Sequence, residues 1–236
     1  MTEKHSSKFV FAAVALLLSL LSNNAAAADD EFGVWLIASS TGFLPGSGDG
    51  TPWRYAADAQ FRWVDDRAGF RQYLIRPSIG YTLSNGAQLW IGFARFETGR
   101  SSRPSSHENR YWQQVNWRIG EWRGGALVAL VRIEERDVST GDDLGVVSRF
   151  MVRYTRPLNN QANQYWTVSL EPFVDFRDTD WGAEKGLGQN RAAIAWGQMI
   201  NEHTVLEVGY MNQYIFRDNG PDRSNHLLTL HMKVKF

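Results

Sequence analysis

From Glu31 onward, apolar and polar residues alternate with a period of two. Val146, Ser148, Phe150, Val152 and Tyr154 share one face of their segment, and Val147, Arg149, Met151, Arg153 and Thr155 share the other. Trp166, Val168, Leu170, Val174 and Phe176 oppose Thr167, Ser169, Glu171, Asp175 and Arg177 in the same way. Strict alternation predicts strands with one apolar face. Ten are predicted near 53–64, 70–83, 87–97, 107–119, 125–137, 146–157, 165–177, 189–199, 204–216 and 225–236, with a further candidate at 31–40. Each is as long as a tilted membrane-spanning strand needs to be, roughly 9–11 residues. With no repeated motif and no Pro-rich linker, a single domain is expected.

The first residues follow another rule. Lys4 and Lys8 precede the apolar run Phe9 to Leu21, and the small residues Ala25 to Ala28 follow it. This is the pattern of a secretory signal peptide over residues 1–28, leaving 29–236 as the exported domain. Removal of Lys4, Lys8 and Glu3 leaves 23 basic and 24 acidic groups from the original 25 of each. A neutral chain offers no global electrostatic case for nucleic acid. The absence of cysteine excludes disulfides, Cys-ligated metals and thiol nucleophiles. No later stretch reaches the roughly 18 apolar residues of a membrane helix.

Connections then distinguish a barrel from a sandwich. Turns at 84–86, 121–124 and 201–203 are short, whereas 98–106, 138–145, 178–188 and 218–224 are longer and polar. Short periplasmic turns opposite longer external loops are the habit of outer-membrane barrels. The last strand ends on Phe236, resembling the terminal aromatic of such barrels. If the apolar faces meet lipid, the other faces collect 13 basic groups, Arg62 among them, and six acidic ones, Glu108 among them. Trp53, Trp63, Tyr73, Trp112, Trp117, Tyr154, Trp166, Trp196 and Tyr214 lie near strand ends, as interfacial girdles do. The expected fold is all-β: a closed antiparallel up-and-down transmembrane barrel of about ten strands, with twelve as the even alternative. Residues 31–40 then lie in the barrel mouth or the periplasm.

The strand texts carry a resemblance. HENRYWQQ (107–114), VRIEERDV (131–138), SRFMVRYTRPL (148–158), SLEPFVDF (169–176), QNR (189–191), GYMNQY (209–214) and HLLTLHMKVKF (226–236) occur in this order. Together they resemble domain-of-unknown-function family 2490, an uncharacterised family of proteobacterial outer-membrane barrels. The resemblance spans the mature chain. It implies the outer membrane of a Gram-negative bacterium and no catalytic residues.

The lumen is the main candidate site. Arg110, Arg118, Arg132, Glu134, Arg136, Arg149, Arg153, Glu171, Asp175, Arg191 and Glu207 fall on the polar faces of neighbouring strands. At a strand spacing of about 4.8 Å they can pair into a salt-bridged plug. They can equally line a porin-like channel favouring anions. A lipid hydrolase is a third reading, with His107 or His226 beside a rim serine such as Ser224. A non-catalytic structural or binding barrel is a fourth. Asp142, Asp143, Asp178 and Asp180 read as solvated loop acids. No cofactor or metal motif is present. Expected partners are outer-membrane lipid and lipopolysaccharide, and the barrel-assembly machinery through the strand ending at Phe236.

Overall fold

The computed structural model describes residues 28–44, 46, 50–65, 69–101, 103–158 and 163–236. The signal-peptide segment lies outside them save for its last residue. Eleven strands follow in chain order: β1 Asp29–Phe43, β2 Trp53–Val64, β3 Phe70–Thr82, β4 Gln88–Arg100, β5 Arg103–Trp122, β6 Gly125–Val138, β7 Leu144–Pro157, β8 Gln164–Asp175, β9 Gly186–Met199, β10 Thr204–Ile215 and β11 Arg223–Lys235. Among the described residues there is no helix.

Each strand pairs antiparallel with its chain neighbours, and β1 closes the cylinder by pairing in parallel with β11. The barrel is therefore mixed and has eleven strands, not the ten or twelve expected. Residues 31–40 are not an accessory piece but the middle of β1. The seam runs in unbroken register from Asp29↔Arg223 to Thr41↔Lys235, while the other edge of β1 pairs with β2 from Gly33↔Val64 to Phe43↔Arg54. An odd number of strands places the start and finish of the cylinder side by side and pointing the same way. Parallel closure is the geometrical consequence. Asp29 and Phe236 accordingly sit at opposite ends; the end where β1 and β11 begin is called upper, and the other lower.

Strands extend further than the alternation suggested. Only residues 101–102 separate β4 from β5, so the expected long loop at 98–106 is mostly ladder. Likewise β5 and β6 are joined by Arg123 and Gly124, with φ of +46° and +77°. Two successive positive φ values match the right-handed twist of a tight hairpin.

Period two sorts side chains as expected along most strands. Trp112 is an exception to the girdle assignment: it shares a face with Arg110 and Gln114 and is buried in the lumen. Gly92, paired with it on β4, makes room, since a Cβ there would lie 2.2 Å from the Trp112 ring. Covering a strand glycine with a cross-strand aromatic pins register.

Candidate functional site in the barrel lumen

Five adjacent strands, β5 to β9, aim charged side chains at the barrel axis. Two cross-strand pairs bring like charges face to face: Arg110↔Arg136 and Arg132↔Arg149. Directly opposed like charges are destabilising. A glutamate offset along the ladder resolves each pair. Glu108 accepts from Arg110 Nε at 2.9 Å and Arg136 Nε at 2.6 Å. Glu134, only 1% exposed, accepts from Arg110 at 2.7 Å, Arg132 at 3.2 Å and Arg149 at 2.6 Å. Arg149 also donates twice to Glu171, at 3.1 and 2.6 Å. The chain of charges ends at Asp175, 3.7 Å from Arg136, and at Arg191, 3.8 Å from Glu171.

Aromatic faces complete the packing. Arg110 lies 4.1 Å over Phe96, Arg132 3.9 Å over Trp112, and Arg149 4.5 Å over Phe173. Trp35 of β1 meets Arg62 of β2 at 4.0 Å and Arg191 of β9 at 5.0 Å. Guanidinium planes thus stack on rings drawn from several walls, and Trp35 joins Arg62 of β2 to Arg191 of β9. Desolvated cation–π contacts are each worth on the order of 1–2 kcal/mol.

The layer divides two cavities that share no lining residue. The upper, about 630 Å³, has Arg62, Arg110, Arg136 and Arg191 in its floor, with Arg100, Lys185, Arg217 and Arg223 higher up. Its acids are Asp175, Glu184 and Asp218, so eight cationic groups face three carboxylates. The lower, about 420 Å³, is lined by Arg76, Arg132 and Arg153 together with Asp58. Trp181, from the β8–β9 connection, overhangs the upper cavity 4.7 Å from Arg136. A loop clasp holds it there: Trp181 Nε1 donates to Asp143 O at 2.7 Å, and Asp180 accepts from the backbone N–H groups of Asp142 and Asp143 at 2.8 and 3.2 Å. These backbone bonds hold the Asp180 carboxyl below the usual carboxylate range. Asp143 and Asp180 each accept from the other's backbone N–H, and Asp178 accepts from Lys185 N at 2.7 Å, while all of these bonds lie at the exposed surface.

Eight residues read from the sequence as a lumen network meet in this layer: Arg110, Arg132, Glu134, Arg136, Arg149, Glu171, Asp175 and Arg191. Three do not. Arg118 shares their face but reaches the lower rim, where it is 57% exposed and pairs with Glu121. Arg153 lines the lower cavity. Glu207 belongs to a separate cluster, accepting from Tyr165 Oη at 2.6 Å and from Lys233.

The histidines separate as well. His107 and His226 are on opposite walls, on β5 and β11. At His226, Nδ1 meets Tyr210 Oη at 2.6 Å, while Nε2 faces both Asp30 at 3.1 Å and Ser224 Oγ at 3.4 Å. A relay needs serine and acid on different ring nitrogens. Here they compete for one, and Ser224 is buried with its Oγ accepting from Asn212. The sequence reading missed a better aligned group in the lumen. Ser39 Oγ lies 2.8 Å from His231 Nε2, whose Nδ1 is 3.9 Å from Glu207. Ser39 sits inside continuous ladders to both β11 and β2. Its neighbouring backbone N–H groups are committed to those ladders, not free to form an oxyanion donor pair.

A closed, mixed β-barrel with an arginine–carboxylate layer across its lumen and a cationic cavity above it is the class that fold and site define. The chain belongs to the family described as protein of unknown function DUF2490, matching it over residues 32–225. An uncharacterized protein of Methylorubrum extorquens AM1 is similar, 30% identical over 183 residues that cover 77% of this chain and 80% of that protein.

Proposed function

We propose that the protein is an integral outer-membrane barrel closed across its middle, which takes up a solute or lipid-derived ligand from one end and is not a standing pore. Membrane residence is supported by the outward faces. Leu36, Ile75, Ile91, Ile133, Ile194 and Val208, on six different strands, are all 42% exposed or more. So continuous an apolar belt suits lipid, not water. Near the lower end Trp53 packs on Tyr81, and Trp122, Tyr154 and Trp166 pack in series, as an interfacial girdle does. The signal peptide expected over residues 1–28 agrees with export.

The observation that carries the closed reading is the Glu134-centred layer between two cavities. An open channel would need a continuous water path past those side chains. The chain has no cysteine, so single-cysteine variants report access directly. Leu187→Cys lines the upper cavity and Met151→Cys the lower. A bulky impermeant maleimide added to intact cells is expected to label only one of them, the other reacting after the envelope is broken. Labelling of both from outside would contradict closure, and recovery of the protein in the soluble fraction would contradict membrane residence.

A further inference from the structure

We propose that the upper cavity binds an oxyanion-headed amphiphile, such as an alkyl phosphate, and that Arg62 and Arg191 hold its headgroup. The starting point is an imbalance in the charged layer. Among the described residues, six guanidinium groups (Arg62, Arg110, Arg132, Arg136, Arg149 and Arg191) face four carboxylates, Glu108, Glu134, Glu171 and Asp175. Two positive charges are left over, and geometry identifies them.

Arg62 is 8% exposed, and among the described residues it makes no ion pair. It donates only to neutral amide oxygens, Gln60 Oε1 at 3.0 and 2.7 Å and Gln72 Oε1 at 2.9 Å. The nearest acid on its own strand, Asp58, is taken by both Arg76 Nε at 2.8 Å and Arg76 Nη2 at 3.2 Å. Among the described residues Arg191 reaches a carboxylate only at 3.8 Å, and that carboxylate, Glu171, already accepts two shorter bonds from Arg149. The Arg191 Nε is buried without a hydrogen-bond partner. Both guanidiniums flank the Trp35 ring, and both line the upper cavity.

Buried charge without counter-charge is unstable unless an ion supplies the missing half. Two planar forks converging on one cavity suit a phosphate-type head, whose oxygens accept bidentate pairs. Above them Val64, Phe70, Val147 and Phe173 give the same cavity an apolar wall, which a bare ion leaves unused and a short alkyl chain covers. The inference deepens the closed-barrel reading, and rests on it only in that the ligand enters from the upper end.

Calorimetric titration of the folded protein in a zwitterionic micelle tests it, with hexyl phosphate and inorganic phosphate as probes. Saturable 1:1 binding of hexyl phosphate is expected, with inorganic phosphate weaker. Arg62→Gln and Arg191→Gln should each weaken binding by about tenfold or more, and Arg95→Gln on the outer face should not. Where a neutral variant does not fold, Arg62→Lys or Arg191→Lys keeps the charge and removes the fork, and should still lower affinity several-fold. Affinity unchanged in all of these variants would overturn the assignment, as would absence of binding by wild type. Equal affinity for the two probes would overturn the amphiphile in favour of a free oxyanion. Because the titration does not depend on conduction, a protein that binds and also conducts would refute closure and leave the site standing.

Discussion

Replacing Glu134 with glutamine removes a carboxylate that three arginines share. Its two oxygens accept from Arg110, Arg132 and Arg149 at 2.7, 3.2 and 2.6 Å. Glutamine keeps a single acceptor oxygen and turns an amide donor toward a guanidinium. At least one arginine loses its bond to residue 134, Arg132 loses the carboxylate it pairs with, and the layer's surplus rises by one positive charge. Stranding a buried charge in this way costs about 3–5 kcal/mol. For a chain near 200 residues each kcal/mol moves the midpoint by about 2–4 °C, so a drop of about 6–20 °C is expected. The shift in gel mobility between folded and unfolded barrel on heating in detergent reads that midpoint. The double variant Glu134→Gln with Arg149→Gln should cost less than the sum of its parts, with coupling of about 0.5–3 kcal/mol. A Glu134→Gln midpoint within about 2 °C of wild type, or strictly additive single variants, would show that Glu134 is solvated and the layer is not a sealed plug.

Other consequences are more local. Because Asp180 is held below the usual carboxylate range, the loop clasp is intact above the ordinary aspartate value of about 4 and is lost as pH falls through the folded value. Asp180→Asn should loosen the clasp at neutral pH, seen as faster proteolysis within 139–143 or 176–185, whereas equal digestion of both proteins would argue against it. Gly92→Ala places a methyl against the Trp112 ring and should destabilise the barrel by about 1–3 kcal/mol by overpacking; a midpoint unchanged on heating would contradict that contact. Ala38 and Met232 are register partners across the β1–β11 seam. Ala38→Cys with Met232→Cys should cross-link under mild oxidation, and failure of that pair while a β10–β11 control cross-links would refute parallel closure.

The ten-strand meander was legible because one face of each strand is apolar and the other charged, so alternation marks both the strand and its orientation. β1 was harder to place. In FGVWLIAS both Trp35 and Ile37 on the inner face and Leu36 on the outer are apolar, which blurs period two. An expectation of even strand number then left this segment without a place. That omission hid everything β1 brings to the lumen, including the Trp35 ring between Arg62 and Arg191 and the Ser39–His231 contact. The arginine–carboxylate layer was readable from parity, since 132, 134 and 136 must share a face. Its separation into one layer and a separate Glu207 cluster was not, because height along the axis depends on register. Arg118 shows the same limit: parity points it inward, while its height puts it in solvent. Trp112 was assigned to the girdle by proximity to a predicted strand end, and β5 proved long enough to carry that position well inside.

Closure of the lumen is the centre of this account, and ionic current across a planar bilayer tests it most directly. Refolded wild-type protein is predicted to insert without steady ohmic conductance, and Glu134→Gln to admit current with anion preference from the surplus arginines. Steady wild-type conductance, unchanged by Glu134→Gln, would contradict it.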